Sequence, residues 1–282
     1  MNSRILVNLG LFIFLALAIT FFINQKNKPH DIQYLSSLKI DTITDIEIPR
    51  PKGRSIKFRK NKQGVWIMLT PFLIKAHPFR IQTLLNLAQL PIKKSHAIDT
   101  LNLADYALSP PRARIKFNNT EIAFGKINPM NNQRYLLAEN KMALAQEQIY
   151  PLVSAQAVSF INLALLPDGI KITRIQSPVI NIQKTRDGKW NSTGKHILNA
   201  DQIQELLQNW LSAQAFAVHK YMPRKNLGKL KISDNKSTIT YEITENDSVL
   251  ILAVPNIGIE YHLDISLKQL LFAHVEQAAP NA

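Results

Sequence analysis

The chain has 282 residues and a formal net charge of +14, from 34 Lys and Arg against 20 Asp and Glu. Hydrophobic residues make up 46% of it. This excludes a disordered or low-complexity chain, because enough apolar surface is present to offset the entropy of ordering the backbone. Cysteine is absent, so disulfides, thiolate metal sites and a cysteine nucleophile are excluded.

The first element in the chain is an apolar segment. Residues 5–23 contain no charged side chain, and a helix of that length nearly crosses a hydrocarbon core of about 30 Å. A cleaved signal peptide is the alternative, but bulky residues, Phe21 to Ile23, stand where cleavage needs small ones. The segment predicts a transmembrane anchor over 5–23, after a tail of residues 1–4 and before a linker of residues 24–39.

The orientation of this span is left open by the charges around it. Arg4 precedes it, whereas Lys26, Lys28 and Lys39 follow, which favours a cytoplasmic C-terminal body. A large body behind a short tail is, however, commonly translocated regardless of its charge. We expect a single-pass protein of the cytoplasmic membrane with its body on the periplasmic side.

The rest of the chain predicts two related copies, residues 40–153 and 168–272, joined by a helical connector over 154–167 and followed by a tail of residues 273–282. Each copy contains one segment with apolar residues at the i, i+3, i+4, i+7 spacing of a helix, His77–Leu90 and Asn199–Gln214. The matching positions lie 122 residues apart: Ile81, Leu84, Leu85 and Ala88 correspond to Ile203, Leu206, Leu207 and Trp210.

Around these helices the residues alternate as strands do. Each copy predicts a hairpin, a helix, antiparallel strands and a short helix. The expected fold class is therefore α+β, with an N-terminal transmembrane helix followed by two tandem, related modules of antiparallel sheet plus helix.

The first copy resembles the bacterial domain-of-unknown-function family 4340. The resemblance rests on a strand that ends in Gly64-Val65-Trp66, on Pro71 five residues later, and on the Tyr-x-Leu element of residues 106–111 before an alternating strand. It covers roughly residues 43–167. It implies a membrane-anchored body outside the cytoplasmic membrane, in some members linked to accessory subunits of gliding-motility-type ABC transporters, and it supplies no catalytic residues.

The search for reactive groups finds no catalytic signature. None of the seven histidines has a metal-ligand spacing, and no nucleophile motif or Walker sequence is present. We predict no catalytic residue, no metal and no cofactor. Acidic residues cluster at two places, Asp41 to Glu47 and Glu242 to Asp247, which leaves an envelope glycan hydrolase with paired carboxylates as an alternative.

The positive charge is concentrated in the first copy, with 17 basic and 8 acidic residues between Ile40 and Val153. Seven basic residues and no acid occur between Arg50 and Lys62, and alternation should turn them outward on a strand edge. The simplest interpretation is an edge strand that resists aggregation. The alternative is a surface for an anionic partner, with four candidate contacts: Lys57, Arg59, Lys60 and Lys62.

We therefore predict a non-catalytic binding or scaffolding protein of the cell envelope, with an accessory role to an ABC-type transporter as one form. Expected partners are the membrane and an envelope protein, anionic lipid or anionic polymer. A cytoplasmic nucleic-acid-binding protein is a further alternative, but the basic run has no interleaved aromatic residue on which bases could stack.

Overall fold

The computed structural model describes residues 3–26, 32–146 and 150–272. Helix α1 (Ser3–Lys26) contains the predicted membrane span. Within the described residues, however, no helix has both the length and the apolar character that a membrane crossing requires. The predicted transmembrane anchor is therefore wrong, and so are the single-pass membrane attachment and the inner-membrane and periplasmic location inferred from it.

The first large sheet is antiparallel and has nine strands. Two further short strands, β1 (Gln33–Tyr34) and β6 (Pro91–Ile92), pair with each other. The nine strands, in chain order, are β2 (Asp45–Ile48), β3 (Ile56–Lys60), β4 (Trp66–Thr70), β5 (Ile74–Lys75), β7 (Ser95–Ala97), β8 (Ala113–Phe117), β9 (Thr120–Asn128), β10 (Gln133–Ala138) and β11 (Lys141–Gln146). Their spatial order is β5-β4-β3-β2-β8-β9-β10-β11-β7.

The second large sheet is also antiparallel and has eight strands. They are β12 (Arg174–Gln176), β13 (Ile180–Lys184), β14 (Trp190–Gly194), β15 (Ala217–Lys220), β16 (Gly228–Ser233), β17 (Thr238–Glu245), β18 (Val249–Val254) and β19 (Ile259–Asp264). Their spatial order is β14-β13-β12-β16-β17-β18-β19-β15, which is the order of the first sheet from β4 to β7. Strand order alone does not establish a repeated sequence, so the duplication stays a prediction.

The predicted α+β class is wrong, because the described chain is mostly β-sheet, with nineteen strands and five α-helices. Two of the helices, α3 (Tyr150–Ser154) and α5 (Leu267–Phe272), are little more than one turn long. Several strands alternate between more and less buried residues, as β10 and β16 do, and this period of two is the period of a strand.

The two segments with helical spacing do form helices, α2 (Pro78–Ala88) and α4 (Ala200–Ser212). In α4 the side chain of Asn199 accepts from the Gln202 N–H, and the Gln202 side chain accepts from the Asn199 N–H. This capping box satisfies two backbone donors that the helix leaves free. The predicted apolar faces are buried: Ile81, Leu84, Leu85 and Ala88 in α2, and Ile203, Leu206, Leu207 and Trp210 in α4.

The helical connector predicted over residues 154–167 is not a continuous α-helix in the described chain. Helix α3 ends at Ser154, and a 3₁₀ turn covers Ala157–Phe160. Beyond it, Ile161 forms an antiparallel bridge with Ala76, and the Asn162 side chain accepts from the Ala164 N–H. These contacts take up backbone groups that a helix would have used.

Both sheets contribute to one continuous hydrophobic core. Tyr241 lies in its centre against Trp210, with ring centroids 6.3 Å apart, and donates its hydroxyl to the Leu165 carbonyl at 2.5 Å. Burial raises the pKa of the Tyr241 hydroxyl, so this hydroxyl stays a donor. The bond links the second sheet to the segment that joins the two halves.

In each half the chain crosses the sheet face that is turned away from the core. The first crossing segment, residues 98–112, leads from β7 to β8, and its Leu108 packs on Ala123 and Met142 in a small separate apolar cluster. The second crossing segment, residues 221–227, leads from β15 to β16.

Candidate functional site: an arginine-lined groove

The basic residues singled out by the sequence lie on and beside β3. Lys57, Arg59 and Lys60 belong to that strand, and Lys62 is exposed in the turn to β4. Strand β3 is paired with β2 on one side and with β4 on the other. It is an interior strand, so the predicted positive edge is wrong.

Acidic residues on β2 neutralise half of this set. The Nζ of Lys57 lies 3.5 Å from Oε1 of Glu47, its partner across the strands. The Nε of Arg59 donates to Oδ1 of Asp45 at 2.7 Å. Burial alone would raise the pKa of Asp45, but hydrogen bonds from Arg59 and Thr44 lower it below its ordinary value. These ion pairs were not predicted from the sequence, because the two acids precede the basic run by several residues.

The same face carries further charges on the next two strands. Arg114 and Lys116 on β8 both lie 3.6 Å from the carboxylate of Glu121 on β9. Two cations therefore share one acid, and this side of the sheet keeps a positive excess close to the start of β8.

A groove of about 650 Å³ opens at that point. It lies between the turn after β2, the start of β8 and helix α3 with the residues that follow it. Three arginines reach it from different elements, Arg50 from the turn and Arg112 and Arg114 from the β8 segment. We call it the arginine groove. Its remaining walls include three prolines and one aromatic ring: Pro49, Pro51, Pro111 and Tyr150.

Arg50 holds one wall of the arginine groove in place. Its Nη1 donates to the Val153 carbonyl at 2.7 Å and its Nη2 to the Ala155 carbonyl. These carbonyls lie at and just after the end of α3, where a helix leaves acceptors free. Burial lowers the pKa of Arg50, because desolvation disfavours its charged form. An anion in the groove would offset this desolvation.

Arg112 and Arg114 form the other wall. The Arg112 N–H donates to the Phe124 carbonyl at 2.8 Å, which ties the residue before β8 to β9. In an extended chain, residues two apart lie on the same side at a spacing of about 6.8 Å. No carboxylate of the described residues lies within ion-pair distance of Arg112. Its charge is therefore available to a ligand.

Sequence reasoning did not single out Arg112 and Arg114 as a site. The signal was present, because an Arg-x-Arg pair follows Pro110-Pro111 at the start of an alternating segment. The turn with Arg50 is more than sixty residues away in the sequence, and only the pairing of β2 with β8 brings the two together.

A second polar cluster lies under the second crossing segment. Glu260 on β19 is only 2% exposed, and its carboxylate accepts from Arg224 at 3.1 Å, from the Met222 N–H at 3.1 Å and from Nε2 of His262 at 2.9 Å. Burial alone would raise the pKa of Glu260, but these hydrogen bonds lower it below its ordinary value. Since both of its carboxylate oxygens accept hydrogen bonds within the chain, Glu260 fastens the crossing segment to the sheet.

The two glutamates of the second acidic cluster that lie on β17 do not converge. Glu242 and Glu245 lie three apart on β17 and face opposite sides of the sheet. Glu242 accepts from Tyr221 on the second crossing segment at 3.0 Å, whereas Glu245 accepts from Lys268 on α5 at 2.7 Å. In the part of the chain that the structure describes, no group of three or more metal-ligating side chains could hold an ion.

Comparisons with protein-family models, with curated proteins and with solved structures found no match to this chain. The resemblance to the domain-of-unknown-function family therefore stays a prediction, and the site has to be interpreted from its own geometry.

Proposed function

We propose that this chain is a non-catalytic binding protein that captures an extended acidic segment of a partner protein in the arginine groove. The observation that supports this most is the convergence of Arg50, Arg112 and Arg114 on one open groove in which Arg112 has no acidic partner among the described residues. Guanidinium groups bind carboxylates through paired, charge-assisted hydrogen bonds.

The spacing of the arginines favours an extended ligand. Arg112 is the last residue before β8 and Arg114 is the second residue of that strand. Side chains on one side of an extended peptide have the same two-residue period, about 6.8 Å. Acidic side chains at positions i and i+2 of a peptide could therefore face the two guanidinium groups at once.

The uncharged walls of the groove favour a polypeptide over a densely charged polymer. Pro49, Pro51 and Pro111 present apolar rings, and Tyr150 adds an aromatic surface. Such surfaces pack against the neutral residues between the acids, as they do in other peptide-binding grooves. The scaffolding role and the link to a transporter stay predictions.

The experiment uses a fluorescent ten-residue probe peptide in which Glu alternates with Ser, and the full-length protein. Anisotropy titrations compare the parent with Arg112→Glu and Arg114→Glu. Lys60→Glu and Lys62→Glu are the matched controls, since they make the same charge change on the predicted hairpin surface outside the groove. A peptide of the same composition with all Glu residues in one block tests the spacing.

We expect each arginine variant to weaken binding about tenfold or more, because a charge-assisted hydrogen bond contributes about 1.5–3 kcal/mol and 1.4 kcal/mol is a factor of ten. The lysine variants should change affinity less than threefold and only through screened, longer-range attraction. If the lysine variants lose binding and the arginine variants keep it, the hairpin surface is the site and the groove proposal is wrong.

A further inference from the structure

A smaller pocket in the second half occupies the same topological position as the arginine groove. It has a volume of about 230 Å³ and lies between the turn that joins β12 to β13, the start of β16 and helix α5. The turn and the start of β16 approach closely, since a Cβ added at Gly228, where φ is +142°, would lie 2.5 Å from Cγ of Pro178. We call it the apolar pocket.

The walls of this pocket are mostly hydrocarbon, in contrast to the arginines of the first half. Five apolar side chains line it: Pro178, Val179, Leu227, Ile243 and Phe272. The polar lining consists of His196, Glu245 and Lys268. A pocket with apolar walls and a few polar groups is the usual form of a small-molecule site.

Glu245, which lines this pocket, has an unused acceptor. Its Oε1 accepts from Nζ of Lys268 at 2.7 Å, whereas its Oε2 is buried and has no hydrogen-bond partner among the described residues. Buried polar atoms in native proteins are almost always paired. A ligand that brings an N–H or O–H donor would complete the pairing.

We propose that the apolar pocket binds a small uncharged molecule with a branched or cyclic apolar body and one hydrogen-bond donor, such as an aliphatic alcohol or a primary amide. The donor would bond Oε2 of Glu245, and the body would lie against Ile243 and Phe272. The ligand is uncharged because Lys268 already neutralises the carboxylate. It is small because the volume lies below the range of about 300–1,000 Å³ typical of drug-sized ligands.

The test compares two probes with the same body. Isopentanol carries an O–H donor, and isopentyl methyl ether has only an acceptor. Methyl NMR spectra of the full-length protein follow Val179, Leu227 and Ile243 during titration with each probe. Three variants are compared with the parent: Glu245→Leu removes the acceptor, Val179→Phe fills the pocket, and Leu227→Trp fills it from another side in case the first variant does not fold. Thr83→Phe, in a separate groove beside α2, is the matched control for a filling change.

We expect isopentanol to bind the parent about tenfold more tightly than the ether, because only the alcohol can donate to Glu245. This preference should disappear in Glu245→Leu, and both filling variants should lose binding of either probe, whereas Thr83→Phe should bind as the parent does. Equal affinity for the two probes, or shifts that survive both filling variants, would overturn the proposal. Binding of the acidic peptide to the arginine groove should not change in Glu245→Leu. The two binding proposals are therefore tested independently.

Discussion

Arg59 on β3 stands directly opposite Asp45 on β2, and its Nε lies 2.7 Å from Oδ1 of that acid. A residue that looks like part of an unopposed basic run is thus one member of a cross-strand ion pair. The pairing of β2 with β3 repeats this arrangement two residues away, between Lys57 and Glu47. The positive charge that remains for a partner is therefore shifted away from the hairpin and toward the arginine groove.

A charge swap tests the cross-strand pair. Arg59→Asp places two carboxylates opposite each other and should lower the free energy of unfolding by about 0.5–1 kcal/mol, the range for exposed pairs on a sheet. The double variant Asp45→Arg/Arg59→Asp should recover most of this loss in urea denaturation. If the swap recovers nothing, the two side chains do not interact in solution.

The first crossing segment depends on a close approach at Gly125. A Cβ added there would lie 2.3 Å from the Tyr106 carbonyl oxygen and 3.1 Å from Cγ of Leu108. Gly125→Ala should lower the free energy of unfolding by about 1–3 kcal/mol, since a backbone atom cannot move away as a flexible side chain can. Amide hydrogen exchange at Leu108 should also become faster.

Gly10→Ala is the control for this substitution, because a Cβ at Gly10 would meet nothing within 4 Å. Because alanine favours a helix more than glycine does, it should not lower the denaturation midpoint, and it should leave the exchange at Leu108 unchanged. Equal effects of the two substitutions would mean that the crossing segment is not packed on Gly125.

The Glu260 cluster should make stability depend on pH on the acid side. The folded-state pKa of Glu260 is lowered, so its contribution is fully present above the unfolded-state value of about 4.3 and is lost as the pH falls through the folded-state value. At neutral pH, Glu260→Gln should lower the free energy of unfolding by about 1–3 kcal/mol, because Arg224 and the Met222 N–H lose a charged acceptor.

Denaturation curves between neutral pH and acid pH check this expectation. The difference in stability between Glu260→Gln and the parent should shrink as the pH falls below about 4. Glu205→Gln, an exposed change on α4, should follow the parent at every pH. A difference that stays constant with pH would show that the carboxylate of Glu260 has an ordinary pKa.

The sequence allowed the two long body helices to be predicted but not the fold class. The apolar stripes of α2 and α4 and the Asn199 cap are local patterns, and local patterns are visible in a sequence. The number of strands depends on pairing between distant segments, as between β2 and β8, and pairing is not encoded in any single window.

The candidate site, like the fold, could be predicted from the sequence only in its local features. Alternation correctly turned Lys57 and Arg59 outward, but the acids that neutralise them were not assigned to the facing strand. The arginine groove forms where the turn at Arg50, the start of β8 and the end of α3 meet. None of these segments alone indicates a binding site. The N-terminal segment is a separate case. Its apolar composition predicted a membrane anchor, but no described helix meets the requirements of a membrane span.

The central claim is that an acidic peptide binds between Arg50, Arg112 and Arg114. The most direct measurement is the ¹H–¹⁵N spectrum of arginine side-chain Nε–H groups in the full-length protein during titration with the alternating Glu-Ser peptide. We predict that the signals of Arg112 and Arg114 shift with one common dissociation constant, and that the signal of Arg59, which is held by Asp45, does not move. Shifts confined to Arg59, or no shift at Arg112 while the peptide is bound, would contradict the account.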